Sequence, residues 1–378
     1  MSGRLLRLIC TATVAVQAAL VPVPATAAPD PQRSVSQLLT DLQRLYRETE
    51  QATEAYNATE EKLKERRADA RRLERDLARA RTALHDSRRA AGRLARQQYQ
   101  GSTDISPYVR LLLARDPQHA LEEGHVIGQL ARERARTLRR FTTGERRADT
   151  LARRARSALN EQVALARQQE KQRDDVRARL AGVEEMISSL SGDQLAALAA
   201  FERDGIAKAQ DRMMASGALS GSRAPSAEGE RAVRYAVDQL GKPYVWGAQG
   251  PRAYDCSGLT SQAWDHAGKP IPRTSQEQWA RLRHVPLSAL RPGDLVVYFP
   301  EATHVALYLG GGMVVQAPRP GAHVKVSPIA ANPVLGAVRP DPRGKPLGRY
   351  APPRLPASAL HGSNEGYASA AAPATSAR

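Results

Sequence analysis

From Leu38 to Leu94 the chain repeats one spacing without a break: Leu38, Leu42, Leu45, Thr49, Ala52, Tyr56, Thr59, Leu63, and on through Ala70, Leu77 and Leu84. Steps of four and three residues alternate throughout, with Arg66 the one charged member. A seam of period 3.5 specifies a long helix that must bury one stripe against another helix, so it argues for a coiled coil. Residues 33 to 98 hold almost no Gly or Pro and are rich in Ala, Arg, Glu and Leu, which favours an uninterrupted helix on the order of 95 Å long at 1.5 Å per residue. Punctuation arrives at Gly101, Pro107, Pro117 and Gly124, so a break is expected over 101–124. Val109, Leu111, Leu112 and Leu113 form an apolar cluster between the two prolines, the natural place for a partner to dock. A second seam runs through Phe141, Ala148, Ala155, Val176, Val183 and Leu190, joined by Leu159, Leu180 and Ile187. The spacing suggests an antiparallel hairpin, with a parallel dimer as the alternative; the coiled-coil region extends over 33–214.

The rest of the chain is organised differently. Residues 1–28 have a basic start (Arg4, Arg7), an apolar stretch and small residues at Ala25 and Ala27, the layout of a secretory signal peptide, with a retained anchor as the minority reading. Removing it takes away Cys10 and leaves Cys256 alone, so no internal disulfide is expected. The formal net charge of +17 is mostly arginine. Export argues against nucleic acid as the partner and for anionic wall polymers or a membrane surface. Residues 215–229 read as a linker, and 341–378, rich in Pro, Ala, Ser and Gly, as a disordered tail. Aromatic residues are 4% of the chain, and Trp246, Trp264 and Trp279 all fall between them, so the packed domain is placed at 230–340. There, "GERAVRYAVDQLG" and "CSGLTSQAWDHAG" read as helices, followed by short strands "DLVVYF", "HVALYLG", "MVVQAP" and "HVKVSP" with a "GGG" turn at 310–312. Helices first and an antiparallel sheet after them make an α+β domain.

Cys256 opens the second of those helices, where the dipole and unpaired N–H groups favour thiolate. Asp255 and Ser257 are placed to cap it. A cysteine nucleophile needs a base held by a third polar group. His266 sits late on the same helix, and His284 and His323 lie in or beside loops. His304 opens a strand directly after a loop and suits the role of base. Gln316, twelve residues on and across the hairpin, is positioned to accept the imidazole N–H and set its tautomer. No CxxC and no paired-histidine spacing is present, so neither a metal nor another cofactor is expected.

Five motifs in order, "GKPYVWGAQGPRAYDCSGLTSQAW", "IPRTSQEQW", "LRPGDLVVYF", "HVALYLGGGMVVQAP" and "VKVSP", make residues 230–340 resemble the papain-like, NlpC-type cell-wall peptidases. Ala248 and Ala306 stand where that family often has glycine. The resemblance implies Cys256 as nucleophile, His304 as base and Gln316 as the third residue, with Tyr244, Asp255 and Ser257 in the substrate pocket. It implies cleavage of peptidoglycan stem peptides, commonly at the bond from the γ-carboxyl of D-Glu to the diamino acid, by a secreted, wall-associated enzyme. The N-terminal part resembles the coiled coils of exported Gram-positive wall hydrolases, which implies restraint of the enzyme or docking to a membrane activator; a passive spacer is the alternative. Two other readings compete: a non-catalytic scaffold or activator with a dead peptidase domain, and an acyltransferase on the same frame.

Overall fold

The computed structural model describes residues 34–100 and 116–356 except 220 and 222, together with positions 109, 112 and 359. The expected signal peptide, Leu111 and Leu113 lie outside the described residues. No described helix is long and apolar enough to cross a membrane.

Among the described residues the N-terminal part holds the helices α1 (Val35–Gln100), α2 (Pro117–Ser188) and α3 (Gly192–Ala215). The first two are an antiparallel hairpin. Their cross-links run in opposite directions along the chain: Glu48 meets Arg179, Tyr56 meets Gln169, Thr59 meets Gln168 and Arg66 meets Glu161. The seam residues Leu38, Leu42, Leu63, Val176 and Val183 are buried, each worth roughly 1.5–3 kcal/mol of transfer free energy. Leu159 departs from the expected seam: it is half exposed, and Ala158 takes the buried position. Helix α2 starts earlier than expected, at Pro117 rather than beyond Gly124, because Asp116 caps it through the N–H of His119 and proline suits the first turn. The second helix also does not run through to 214. It stops at Ser188, and Ser191 and Gln194 make a reciprocal capping box that restarts the chain as α3. Helix α3 folds back over the base of the hairpin, where Leu198 joins Leu38, Leu42, Ile187 and Leu190.

The α+β domain holds α4 (Ala227–Asp238), α5 (Cys256–His266) and α6 (Ser275–Arg281), then strands β1 (Arg283–Val285), β2 (Leu295–Tyr298), β3 (His304–Gly310), β4 (Met313–Gln316), β5 (Lys325–Pro328) and β6 (Val334–Arg339). The strands form one antiparallel sheet in the order β1-β6-β2-β3-β4-β5. Strands β1 and β6 and helix α6 were not foreseen; "RHV" is short, and "VLGAVR" carries a glycine inside its run. Helices α4 and α5 cover one face around Trp264, which is fully buried and donates its indole N–H to Gly293 O at 3.1 Å. The other face carries Val296, Tyr298, Ala306 and Tyr308.

Of the tail expected to be disordered over 341–378, the stretch 341–347 instead packs on this domain, and residues 357, 358 and 360–378 lie outside the described residues. Asp341 accepts from Arg291 at 2.8 Å and from the Ser226 hydroxyl, and Leu347 N–H donates to Pro225 O at 2.8 Å. The buried Arg291 holds this segment by donating to Gly344 O as well. Composition signalled disorder, but one buried ion pair and a few hydrogen bonds anchor an irregular stretch.

Candidate active site

Asp255 stands just ahead of α5 and its Oδ1 accepts from Gly258 N–H at 2.6 Å, so Cys256 is the first helical residue. Gly258 must be glycine here: a Cβ would lie 2.2 Å from Ala248 O. His304 is delivered by a tight turn from β2, in which Phe299 and Ala302 take left-handed φ of 63° and 51°. The His304 ring is fully buried, and its Nε2 sits 2.7 Å from Gln316 Oε1 on the neighbouring strand. That contact engages Nε2 and leaves Nδ1 without a hydrogen bond. Cys256 and Tyr244 are buried too, the N–H of Val305, next to His304, reaches Cys256, and Tyr244's hydroxyl is pushed well above its ordinary range by burial first and then by the neighbouring Cys256. The other histidines lie elsewhere. His266 stacks on Tyr235, His284 stacks on Trp279, and His323 pairs with Pro243.

The sequence-expected residues Tyr244, Asp255, Cys256, Ser257, His304 and Gln316 thus come together. Arg273 joins them and was not foreseen, although it lies within the quoted "IPRTSQEQW". Its guanidinium donates to both oxygens of Asp255, at 3.0 and 2.6 Å, and to Ser257 Oγ at 2.7 Å. Both partners of that ion pair are buried.

Into this centre projects the middle of α1. Glu54 Oε1 lies 3.8 Å from Cys256 Sγ and accepts from Ser257 Oγ at 2.7 Å, and its Oε2 accepts from Ser275 N–H at 2.9 Å. Glu50 Oε1 is 3.2 Å from His304 Nδ1, within ion-pair distance but off the line of a hydrogen bond. Asn57 donates to Asp255 Oδ2 at 3.1 Å, and Tyr56 packs edge-on against Trp246 with ring centroids 5.0 Å apart. Glu50, Glu54 and Asn57 are four and three residues apart, a second stripe on α1 beside the heptad seam. Its signal in the sequence was faint, because polar residues off the seam of a coiled coil ordinarily face water.

The electrostatics follow from this burial. The Cys256 thiol is pushed well above its ordinary range by burial, then by the negative charges of Glu54, Asp255 and Glu50; the Val305 N–H pulls the other way. Burial pushes His304 down, but the charge and contact of Glu50, with Gln316 and Glu54, outweigh it and leave the imidazole raised. Glu54 is pushed up to about 7, by burial first and then by Asp255, with Arg273 and the two hydrogen bonds partly opposing. Burial and the carboxylates of α1 thus disfavour the thiolate of Cys256, while Glu50 favours the protonated imidazole of His304. Thr53 Oγ1, Asn57 Oδ1 and Arg273 Nε are buried without partners, so the contact between α1 and the domain is imperfectly satisfied. Among the described residues, no cluster of three His, Cys, Asp or Glu side chains is arranged to hold a metal.

Residues 241–336 match the model of the NlpC/P60 family. The chain carries an NlpC/P60 domain. A probable endopeptidase of Corynebacterium glutamicum (strain R) is 48% identical over 101 residues, 26% of this chain and 48% of that one. The peptidoglycan endopeptidase RipB of Mycobacterium tuberculosis (strain H37Rv) is 39% identical over 126 residues, 29% of this chain and 52% of that one. The crystal structure of the NlpC/p60 domain of the peptidoglycan hydrolase SagA is 33% identical, covers 29% of this chain and 97% of that one, and has a TM-score of 0.28. The match spans about half the length of the first two relatives and lies in the NlpC/P60 domain, outside the helical hairpin.

Proposed function

We propose that this chain is a secreted peptidoglycan endopeptidase that cuts stem peptides between the γ-carboxyl of D-Glu and the diamino acid, and that α1 holds it shut. Export rests on the basic and apolar opening of the sequence. The observation that carries the catalytic reading is the Cys256–His304–Gln316 arrangement with Nδ1 left free by Gln316. In the opened enzyme Cys256 Sγ attacks the scissile carbonyl and its proton passes to His304 Nδ1. The backbone N–H groups at the start of α5 face the oxyanion. His304 then protonates the leaving amine, a thioester remains, and water releases the acyl group with His304 as base. Gln316 keeps the ring in the tautomer that this sequence of transfers needs.

In the closed chain Glu54 stands against the nucleophile and Glu50 against the working nitrogen, so substrate enters only when α1 withdraws. Withdrawal also removes two carboxylates and readmits water, both of which favour thiolate. The test is release of stem-peptide fragments from purified peptidoglycan by the full chain and by a Glu50→Ala, Glu54→Ala double variant. Fragment release that rises in the double variant supports both parts of the reading. No release from either protein, with the fold intact, refutes the endopeptidase.

A further inference from the structure

The two long helices are charged unevenly along their length. Beyond the Arg66–Glu161 cross-link, residues 66–100 of α1 and 117–161 of α2 hold 21 arginines against ten aspartates and glutamates. The other ends, 35–65 and 162–188, hold nine lysines and arginines against twelve acids. Most of the formal charge of +17 therefore sits on the half of the hairpin beyond the part that touches the α+β domain. A helix face that is only solvated interleaves its signs, as the near half does.

The packing changes over the same stretch. Buried side chains stop at Ala80 on α1 and begin only at Ala148 on α2. Between those points Leu84, Leu94 and Phe141 are half-buried, while Leu121, Val126, Leu130 and Leu138 are exposed, Leu121 by 76%. At the base of the hairpin, by contrast, Leu198 of α3 helps to cover the seam. The far half thus combines apolar side chains that nothing covers with cations that little neutralises. Arg79, Arg139, Arg140 and Arg147 line a cleft of about 610 Å³ between the two helices. Arg79 pairs with Asp76 on its own helix; among the described residues Arg139, Arg140 and Arg147 form no ion pair.

This pairing of features selects the occupant. A second copy of the chain would cover the leucines but bring like charges together. A hydrophilic polyanion would satisfy the arginines and offer nothing to the leucines. An anionic lipid surface does both, taking guanidinium groups among its phosphates and leucine side chains at the boundary of the acyl chains. We propose that the far half of the α1–α2 hairpin docks on an anionic membrane surface, with Arg139, Arg140 and Arg147 meeting lipid phosphates and Leu121 and Leu138 entering the interface. Arg79 lies 25 residues beyond Glu54 on α1, about 38 Å at 1.5 Å per residue, so this surface is separate from the groups at Cys256. The proposal draws on the export reading above but not on catalysis.

The test is sedimentation of the full chain with vesicles of phosphatidylglycerol and phosphatidylcholine, and with vesicles of phosphatidylcholine alone. Binding is expected only where phosphatidylglycerol is present, and to weaken as salt rises. Arg139→Gln, Arg140→Gln and Arg147→Gln together should weaken it about a hundredfold, at roughly fivefold per cation near the surface. The corresponding triple lysine variant should bind nearly as the parent does. Leu121→Ser with Leu138→Ser should weaken vesicle binding but not binding to a soluble poly(glycerol phosphate). Circular dichroism confirms the helices of each variant, and wall digestion is measured separately, since vesicle binding does not depend on it. No binding to phosphatidylglycerol vesicles, equal binding to both vesicle types, or an unchanged arginine variant overturns the proposal. If the leucine variant binds vesicles as the parent does, the surface holds a soluble polyanion and the lipid assignment falls. Self-association that the leucine variant abolishes, without vesicle binding by the parent, makes a second copy the occupant and overturns it too.

Discussion

Glu54 and Cys256 are 202 residues apart in the chain and 3.8 Å apart in the fold, carboxylate oxygen to sulfur. A helix whose sequence specifies a coiled coil thus also supplies the group that faces the Cys256 thiol. The same carboxylate takes the hydroxyl of Ser257 and the N–H of Ser275, so it is held by the domain rather than resting on it.

Removing that hold should open the enzyme. Glu50→Ala with Glu54→Ala deletes the contacts to His304, Ser257 and Ser275, each worth on the order of 1 kcal/mol. Peptidoglycan digestion by the full chain is expected to rise about tenfold or more, and α1 to become more sensitive to limited proteolysis. Unchanged digestion and unchanged proteolysis would leave the hairpin as a spacer.

Opening should depend on pH. Docked, Glu54 titrates at about 7; released, it returns to an ordinary carboxylate value near 4.5. Between those values the docked state holds a proton that the released state has lost, so docking weakens as pH rises through the window. His304, also raised while docked, acts in the same direction. Proteolytic sensitivity of α1 is therefore expected to increase from about pH 5 to about pH 8. Glu54→Gln, which does not titrate, should flatten most of that rise. An equally steep rise in the variant would assign the effect to other groups.

Cys256→Ala should reduce stem-peptide release to below about one per cent of the parent while leaving the circular dichroism spectrum unchanged, since loss of a nucleophile costs several orders of magnitude in rate. The background for the measurement is the opened double variant, in which the parent rate is high enough to show the loss.

Gln316→Ala should lower activity by about ten- to a thousandfold, less than the loss from Cys256→Ala, because tautomer and orientation are lost but not the base. Gln316→Glu should keep activity and move the basic limb of the pH–rate profile upward, since a carboxylate 2.7 Å from Nε2 stabilises the imidazolium. A Gln316→Ala variant with parent kinetics would remove Gln316 from the machinery.

Arg273→Met is expected to destabilise the domain by about 3–5 kcal/mol, read as a lowered Tm, because it strands the fully buried Asp255 carboxylate. Asp255→Asn with Arg273→Met should recover part of that loss. If the single variant melts with the parent, the ion pair is not a structural element.

Local spacing was enough for much of this molecule. The alternation of four and three from Leu38 to Leu94 specified α1, and the short β-branched runs after Leu295 specified β2 to β5, because a helix or a strand shows its buried side as a period in its own residues. Asp255 before Cys256, and twelve residues from His304 to Gln316 across a glycine turn, were equally local. The antiparallel course of α1 and α2 was not: the same seam serves a hairpin or a dimer until Glu48 meets Arg179 and Tyr56 meets Gln169. Nor was the burial of Glu50, Glu54 and Asn57 legible, since polar side chains off a seam look like a solvated face, and only the docking of α1 on the domain turns them inward. Arg273 became a partner of Asp255 in the same way, 18 residues downstream, and Glu202 met Arg319 only because a capping box at Ser191 turned α3 back. Contacts between elements depend on where whole helices come to rest, and no period within a single element records that.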